Sequence, residues 1–313
     1  MTALPSAATW EVAQAVFRDE TAFRPGVGRL CGQLGIDPAG LSRFPAGSRP
    51  VYRSGDVVLK LFPPGDLTAC QVEAEVLGAV DGKLPAATPR MRASGRLDGW
   101  GYVLMSYVAG TPLDAVWSRV SAGERERVAG DLGELIAALH SVAPPAISGW
   151  EPGDWPSFVA SRRAVCEAEQ RGLGLAASWA DQIPGFLDGV VLESGTPVLL
   201  HTEIMAQHLL VTDDGGGRWR LSGLIDFEPA MRGAREYEFA AAGVFVTQGN
   251  RRLLLRILRG YGYGQRDLGH ELSRRLLAWL LLHRYCSLAA YLRTLPAPAH
   301  PTLEDLAERW FGT

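Results

Sequence analysis

VLLHTEIMAQHLLVTDDGGGRWRLSGLIDFEPA, residues 198–230, is the stretch that decides how the chain is read. Two β-like runs, 209–212 and 219–225, flank the turn Asp213-Asp214-Gly215-Gly216-Gly217, the composition of a β-hairpin. Ahead of the hairpin stand His201, Glu203 and His208. Directly after it stands the pair Asp226-Phe227. Carboxylates and imidazoles therefore bracket a single hairpin.

Phosphoryl transfer needs a carboxylate that orients or deprotonates the attacking hydroxyl. It also needs an oxygen ligand for metal and a second carboxylate for the metal that bridges the phosphates. The usual spacing is His-x-Asp, four residues, Asn, a hairpin and then Asp-Phe. His201, Glu203, His208 and Asp226-Phe227 keep those spacings.

Working outward toward the N-terminus, short runs at 51–53, 57–62 and 101–106 read as strands. The one helix expected among them spans 67–80, with Cys70, Ala74 and Leu77 at helical spacing. Lys60 lies in VVLKLF, and alternation puts it on the face of Val58 and Phe62. The chain has only two lysines, Lys60 and Lys83, among 31 basic residues. An ammonium on so apolar a strand needs a partner. It is either an edge lysine that reaches water or a phosphate-binding group paired with a helix glutamate. Glu73 is that glutamate, and Glu75 points elsewhere. Gly47 and Ser48 form a turn between strand-like runs that would bring backbone N–H groups to phosphate oxygens. In YVLMSYVAGTPL, Met105, Ser106 and Val108 offer connector backbone to an adenine; the same stretch also reads as an ordinary strand-to-helix loop.

Toward the C-terminus the pattern turns helical. Ser121 with Glu124 makes a capping box that opens a helix to about His140. Further helices are expected near 157–172, 251–260, 270–293 and 303–311. A β-rich N-terminal lobe (1–106) and a larger helical C-terminal lobe (107–313) make a two-lobed α+β arrangement with a ligand cleft between the lobes.

VVLKLF, EAEVLGAV, YVLMSYVAGTPL, IAALHSV, LIDFEPA and the terminal RWFGT together resemble the aminoglycoside phosphotransferases, from about residue 40 to the C-terminus. Within that kinase-like group the hygromycin B 7''-O-kinase type is the most similar. The resemblance implies a protein-kinase-like fold and transfer of the γ-phosphoryl group of ATP to a hydroxyl, with Mg2+ or with Mn2+ in its place. It implies Lys60 on phosphates, Glu73 as its partner and Asp226 as metal ligand. Tyr237-Glu238 stands where the family often has Tyr-Asp, which helps hold the catalytic loop.

The departures are specific. The family's loop reads HGDxxxxN; this one reads HTEIMAQH. Glu203 keeps the catalytic carboxylate but adds roughly 1–1.5 Å of reach, and a misplacement near 1 Å can cost about 100-fold. His208 replaces an oxygen ligand with imidazole, which suits softer ions than Mg2+. Three readings stay open: His208 binds such an ion, Gln207 supplies an amide oxygen, or Asp226 acts alone. A nucleotide-binding pseudokinase is the alternative from another class, and a kinase of another small alcohol is the alternative substrate class.

His201 reads as a structural residue of the loop. Between 149 and 190, Trp150, Trp155, Trp179, Glu151, Asp154, Glu167, Glu169 and Asp181 read either as a pocket for a cationic amino sugar or as a charged surface over a Trp-rich core. With a formal charge of −3, no nucleic-acid partner is expected. No apolar run is long enough for a membrane. No signal peptide is recognised, and four scattered cysteines form no metal or disulfide framework, so a cytoplasmic location is expected.

Overall fold

The computed structural model describes residues 2–7, 9–45, 47–192 and 195–313, with Trp10 described by its backbone alone. The chain opens with two helices, α1 (Trp10–Val16) and α2 (Glu20–Leu34), capped by the side chains of Thr9 and Asp19. They correct the expectation of one helix before residue 107. Pro25 and three glycines interrupt the apolar period of α2, yet Phe23, Val27, Leu30 and Cys31 still form a buried face.

Next come β1 (Ser42–Arg43), β2 (Val51–Ser54), β3 (Val57–Phe62), α3 (Leu67–Val80), β4 (Met91–Leu97) and β5 (Trp100–Ser106). The strands form an antiparallel sheet in the order β1-β2-β3-β5-β4. β4 was not anticipated. Its sequence MRASGRL is a largely exposed edge with little apolar signal. Strand alternation divides the sheet between two cores. Leu59, Leu61 and Trp100 pack with Phe23 and Leu30 of α2. Phe62, Val103 and Met105 pack with α3 and the main core. Lys60 faces that second side.

The helical region begins with β6 (Thr111–Pro112), α4 (Leu113–Val116) and α5 (Ala122–Ser141), whose N-cap Ser121 accepts the Glu124 N–H. It continues through α6 (Trp155–Gly172), α7 (Ala177–Ala180) and α8 (Ile183–Asp188). β7 (Val198–Leu200), the hairpin β8 (Leu209–Asp213) and β9 (Trp219–Leu224), and β10 (Met231–Gly233) follow. The chain ends with α9 (Tyr237–Ala241), a π-helical turn over Ala242–Val246, α10 (Arg251–Tyr261), α11 (His270–Leu282), α12 (Leu288–Thr294) and α13 (Leu303–Phe311). The single helix expected at 270–293 is thus two, broken at 283–287.

Two short ladders place the site loop. β7 pairs with β10 and β8 with β9, so residues 201–208 leave one ladder and enter the other. The hairpin is tied to the N-terminal region through Ala87, whose N–H donates to Ser222 O at 2.9 Å and whose C=O accepts from Leu224 at 3.0 Å. No helix among the described residues is long and apolar enough to cross a membrane.

Helices α5 and α10 touch backbone to backbone. A Cβ on Gly133 would lie 2.1 Å from Ile257 O, and one on Gly260 would lie 2.3 Å from Gly130 O. Alanine normally stabilises a helix over glycine; here the sign depends on the position. Gly133→Ala is expected to lower the unfolding free energy by about 1–3 kcal/mol, because packed backbones must separate. Gly130→Ala, whose Cβ would meet nothing within 4 Å, is expected to raise it by about 0.5–1 kcal/mol. Urea denaturation of the pair checks both signs.

Candidate active site

β3 carries Lys60 inward, and its Nζ meets three carboxylates. Glu73 Oε2 of α3 lies at 2.6 Å, Asp226 Oδ1 at 2.5 Å, and Glu228 also accepts from it. The other oxygen of Glu73 accepts the Phe227 N–H at 3.2 Å, so one glutamate fixes both the lysine and the segment after β9. Lys60 and Glu73 are both buried. Burial works against the ammonium, but Asp226, Glu228 and Glu73 together outweigh it and hold the Lys60 pKa above its ordinary value. Burial likewise works against the Asp226 carboxylate. Lys60 overcomes it and leaves Asp226 well below the usual carboxylate range.

The loop after β7 is held from outside. Glu238 of α9 is fully buried and accepts the N–H groups of His201 at 2.7 Å and Thr202 at 2.8 Å. His201 Nε2 meets Ile225 O at 3.0 Å. Thr202 Oγ1 donates to Pro229 O at 3.0 Å, and His283 Nε2 meets Thr202 O at 3.2 Å. Thr202 sits at φ 68 and Asp226 at φ 78, a region that β-branched residues rarely adopt. Thr202 occupies the glycine position of the HGDxxxxN pattern, and this φ explains why glycine suits it.

Glu203, His208 and Asp226 each offer a ligand atom within 4.8 Å of the others. His208 Nδ1 lies 2.9 Å from Glu203 O, a carbonyl that can only accept, so Nδ1 carries the proton. That leaves Nε2 facing Asp226 Oδ2 at 3.2 Å. Two lone pairs at that distance need a proton or a cation between them, so the donor set fits a divalent metal. Gln207 instead turns its amide nitrogen toward His208, 3.5 Å away. It also lines a separate cavity with Trp117, Met205 and Phe245. Burial raises the Glu203 pKa; His208 opposes the rise, and Asp226 and Glu228 add to it.

A cleft of about 680 Å³ opens beside these groups. It is lined by Ser48, Arg49, Trp150, Glu151, Glu203, Glu228, Arg284 and Tyr285. Of the region 149–190, Trp150 and Glu151 reach this cleft, with Trp150 Nε1 anchored on Ala230 O at 2.9 Å. Trp155 is buried among Phe158, Tyr237 and Trp279. Trp179 packs on the core. Glu167 and Asp181 pair with Arg171, and Glu169 with Arg162, on the surface. Asp154 caps α6.

Gly47 adopts φ 127 in the turn before Arg49. Met105 is buried on β5, paired with Val58. In the connector, the N–H groups of Ser106 and Tyr107 are taken by Arg90 O and Asp56 O, at 2.9 and 2.7 Å. The Ser106 N–H is therefore not open to a base, while the Val108 backbone has no hydrogen-bond partner among the described residues.

Arg49, Arg284 and Tyr285 went unnoticed in the sequence. An arginine carries little signal in a chain so rich in arginine, and Arg284 reaches the cleft only because the helix breaks there. Its guanidinium donates to Pro229 O and lies over the Tyr285 ring, 5.0 Å from the centroid.

The sequence profile of the phosphotransferase enzyme family matches residues 40–277. No curated protein matches the chain in sequence. Among solved structures, ADP-bound aminoglycoside phosphotransferase APH(2'')-Ib superposes with a TM-score of 0.60 at 18% identity, covering 91% of this chain and 98% of that one. The GDP and kanamycin complex of APH(2'')-IIia gives 0.63 at 18% identity, covering 82% and 88%. APH(3'')-Id from Streptomyces rimosus, in complex with ADP and streptomycin, gives 0.56 at 17% identity, covering 82% and 98%. At these identities the likeness shows the fold: the expected kinase-like α+β architecture, β-rich at the N-terminal end and helical at the C-terminal end.

Two buried histidines hold the loop in a pH-dependent way. His201 Nδ1 is buried without a partner, and His283 Nδ1 accepts the Tyr285 N–H. Protonation would strand a charge in the first case and break a hydrogen bond in the second. Burial accordingly lowers both pKa values from 6.5 to about 4. The unfolded chain binds these protons first, so this contribution to stability is complete above pH 6.5 and is lost as pH falls toward 4. Urea unfolding at pH 7 and pH 5 should show the loss. His283→Gln should reduce it by about 2 kcal/mol, at 1.36 kcal/mol per pKa unit.

Proposed function

The chain belongs to the phosphotransferase enzyme family, and from that premise we propose that it transfers the γ-phosphoryl group of ATP to a hydroxyl of an aminoglycoside or related amino sugar. The observation that carries this reading is the meeting of the Lys60 ammonium with Asp226, and of Asp226 with the Glu203 and His208 donors, beside a cleft that Glu203 lines. In this reading the nucleotide lies between an N-terminal lobe of residues 1–106 and a C-terminal lobe of residues 107–313. Gly47 and Ser48 bound its phosphates, Met105 backs the base, and the Ser106–Val108 connector borders it.

Lys60, oriented by Glu73, binds phosphate oxygens. Glu203 accepts the proton of the acceptor hydroxyl as its oxygen bonds to the γ-phosphorus and the bond to the departing ADP breaks. Asp226 and His208 would hold a divalent metal, which neutralises phosphate charge when bound. Imidazole in that set favours Mn2+ over Mg2+. Asp66, Glu151, Glu203 and Glu228 outnumber Arg49 and Arg284 around the cleft, and Trp150 and Tyr285 offer aromatic faces. Both features favour a cationic sugar. Hygromycin B leads the acceptors to be tried, on the resemblance noted above. The four cysteines are free and buried, in keeping with the cytoplasm as the place of action.

ADP release by the purified protein, with ATP, Mg2+ or Mn2+ and a panel of aminoglycosides, tests the reading. Acceptor-dependent turnover is expected. Asp226→Ala should abolish it, and Glu203→Gln should lower kcat by about 100-fold or more. His208→Asn should shift the preference from Mn2+ to Mg2+. ATP binding without turnover on amino sugars or other small alcohols would instead favour the nucleotide-binding pseudokinase.

A further inference from the structure

Glu228 bridges Lys60 to a second cation, Arg49. One of its oxygens accepts from Lys60 Nζ, and the other lies 2.6 Å from Arg49 Nη1. The bridge is buried, with side-chain exposures of 6% for Lys60, 7% for Glu228 and 11% for Arg49. It also joins regions distant in sequence: Lys60 on β3, Arg49 in the turn before β2, and Glu228 two residues after Asp226. Arg49 further pairs with Asp66, at the start of α3. Its guanidinium lines the same cleft as Glu203.

Two cations converging on one anionic group describe a phosphate site as well as they describe an ion pair. We propose that Glu228 holds the place of a nucleotide phosphate, and that Arg49 is a second phosphate-binding cation at the point of transfer. The inference rests on the kinase reading and adds a residue to it. Lys60 lies deeper, between Glu73 and Asp226. Arg49 lies on the cleft that also holds Glu203, so it faces the terminal phosphate of the chain. A guanidinium presents a planar fork that matches phosphate oxygens, and a carboxylate occupies the same fork. When phosphate takes that position, Arg49 keeps Asp66 and Lys60 keeps Glu73 and Asp226. Neither cation loses its support.

The proposal fixes the sign of a measurement. Glu228→Gln keeps the shape of the side chain and removes the competing charge. By calorimetry, ATP should bind this variant about tenfold more tightly than wild type, the scale of one charge-assisted contact. In the Glu228→Gln background, Arg49→Met should cost ATP about tenfold while changing ADP little, because the lost contact is to the terminal phosphate. Working in that background avoids a buried, unpaired Glu228, and melting curves confirm that each variant folds.

Equal or weaker ATP binding by Glu228→Gln would overturn the proposal, because a metal-ligating or purely structural glutamate gives that result. So would equal losses of ATP and ADP in the double variant. Inorganic tripolyphosphate, run alongside, carries the phosphate chemistry without a base. If it binds in an Arg49-dependent way while no nucleotide does, the kinase reading fails, and the assignment of the displaced group as a nucleotide phosphate fails with it. If ATP binds wild type with no dependence on Glu228 or Arg49 and acceptor-dependent ADP release is seen, the kinase reading stands and this inference fails.

Discussion

A buried ammonium cannot stand alone, and the arrangement around Lys60 follows from that constraint. Moving a charge out of water costs several kcal/mol even after relaxation. The chain meets this cost with Glu73 from α3 and with Asp226 and Glu228 from the segment after β9. These contacts fix where α3 lies on the sheet and where the 226–228 segment lies beneath it. Glu73 extends the constraint by accepting the Phe227 N–H. Three carboxylates against one lysine leave local negative charge even after Arg49 is counted. That balance suits a site for cations and for cation-bound phosphates.

The legible parts of the fold were those with strong local signals. VVLKLF and the 67–80 helix appear at their expected bounds because alternation and helical spacing are both clear there. The hairpin at 209–224 was legible through its Asp-Gly turn. The N-terminal helices were not, because Pro25 and the glycines of α2 mask the period; only packing under the sheet, where Phe23 meets Trp100 edge-on, makes the segment helical. The helix break at 283–287 lies in HRYCS, directly after the apolar run 276–282, where neither Gly nor Pro marks a stop. Tertiary contacts impose it: His283 stacks on Tyr237, and the Arg284 N–H donates to its hydroxyl.

The same distinction applies to the site. Lys60, Glu73, Glu203, His208 and Asp226 stand out in the sequence by type and spacing, and the fold brings all five to one region. Arg49 and Arg284 reach the cleft through turns whose geometry no spacing rule predicts. The availability of backbone in the connector was also unreadable. Whether Ser106 offers its N–H depends on Arg90, a residue of another segment.

The altered loop HTEIMAQH is pinned from outside: Glu238 and His283 hold its backbone, and the Ile225 and Pro229 carbonyls hold the side chains of His201 and Thr202. A loop held at so many points can keep Thr202 at a positive φ, a strain of order 1–3 kcal/mol. His208 is held from outside as well, its C=O accepting the Ile225 N–H at 3.1 Å, and it is linked to Glu203 through Nδ1 and the Glu203 carbonyl. An asparagine side chain offers an NH2 donor group and an oxygen acceptor. His208 likewise spends one ring nitrogen as a donor to the Glu203 carbonyl and turns the other toward Asp226. The imidazole therefore preserves the division of labour of the amide while exchanging a hard ligand atom for a softer one.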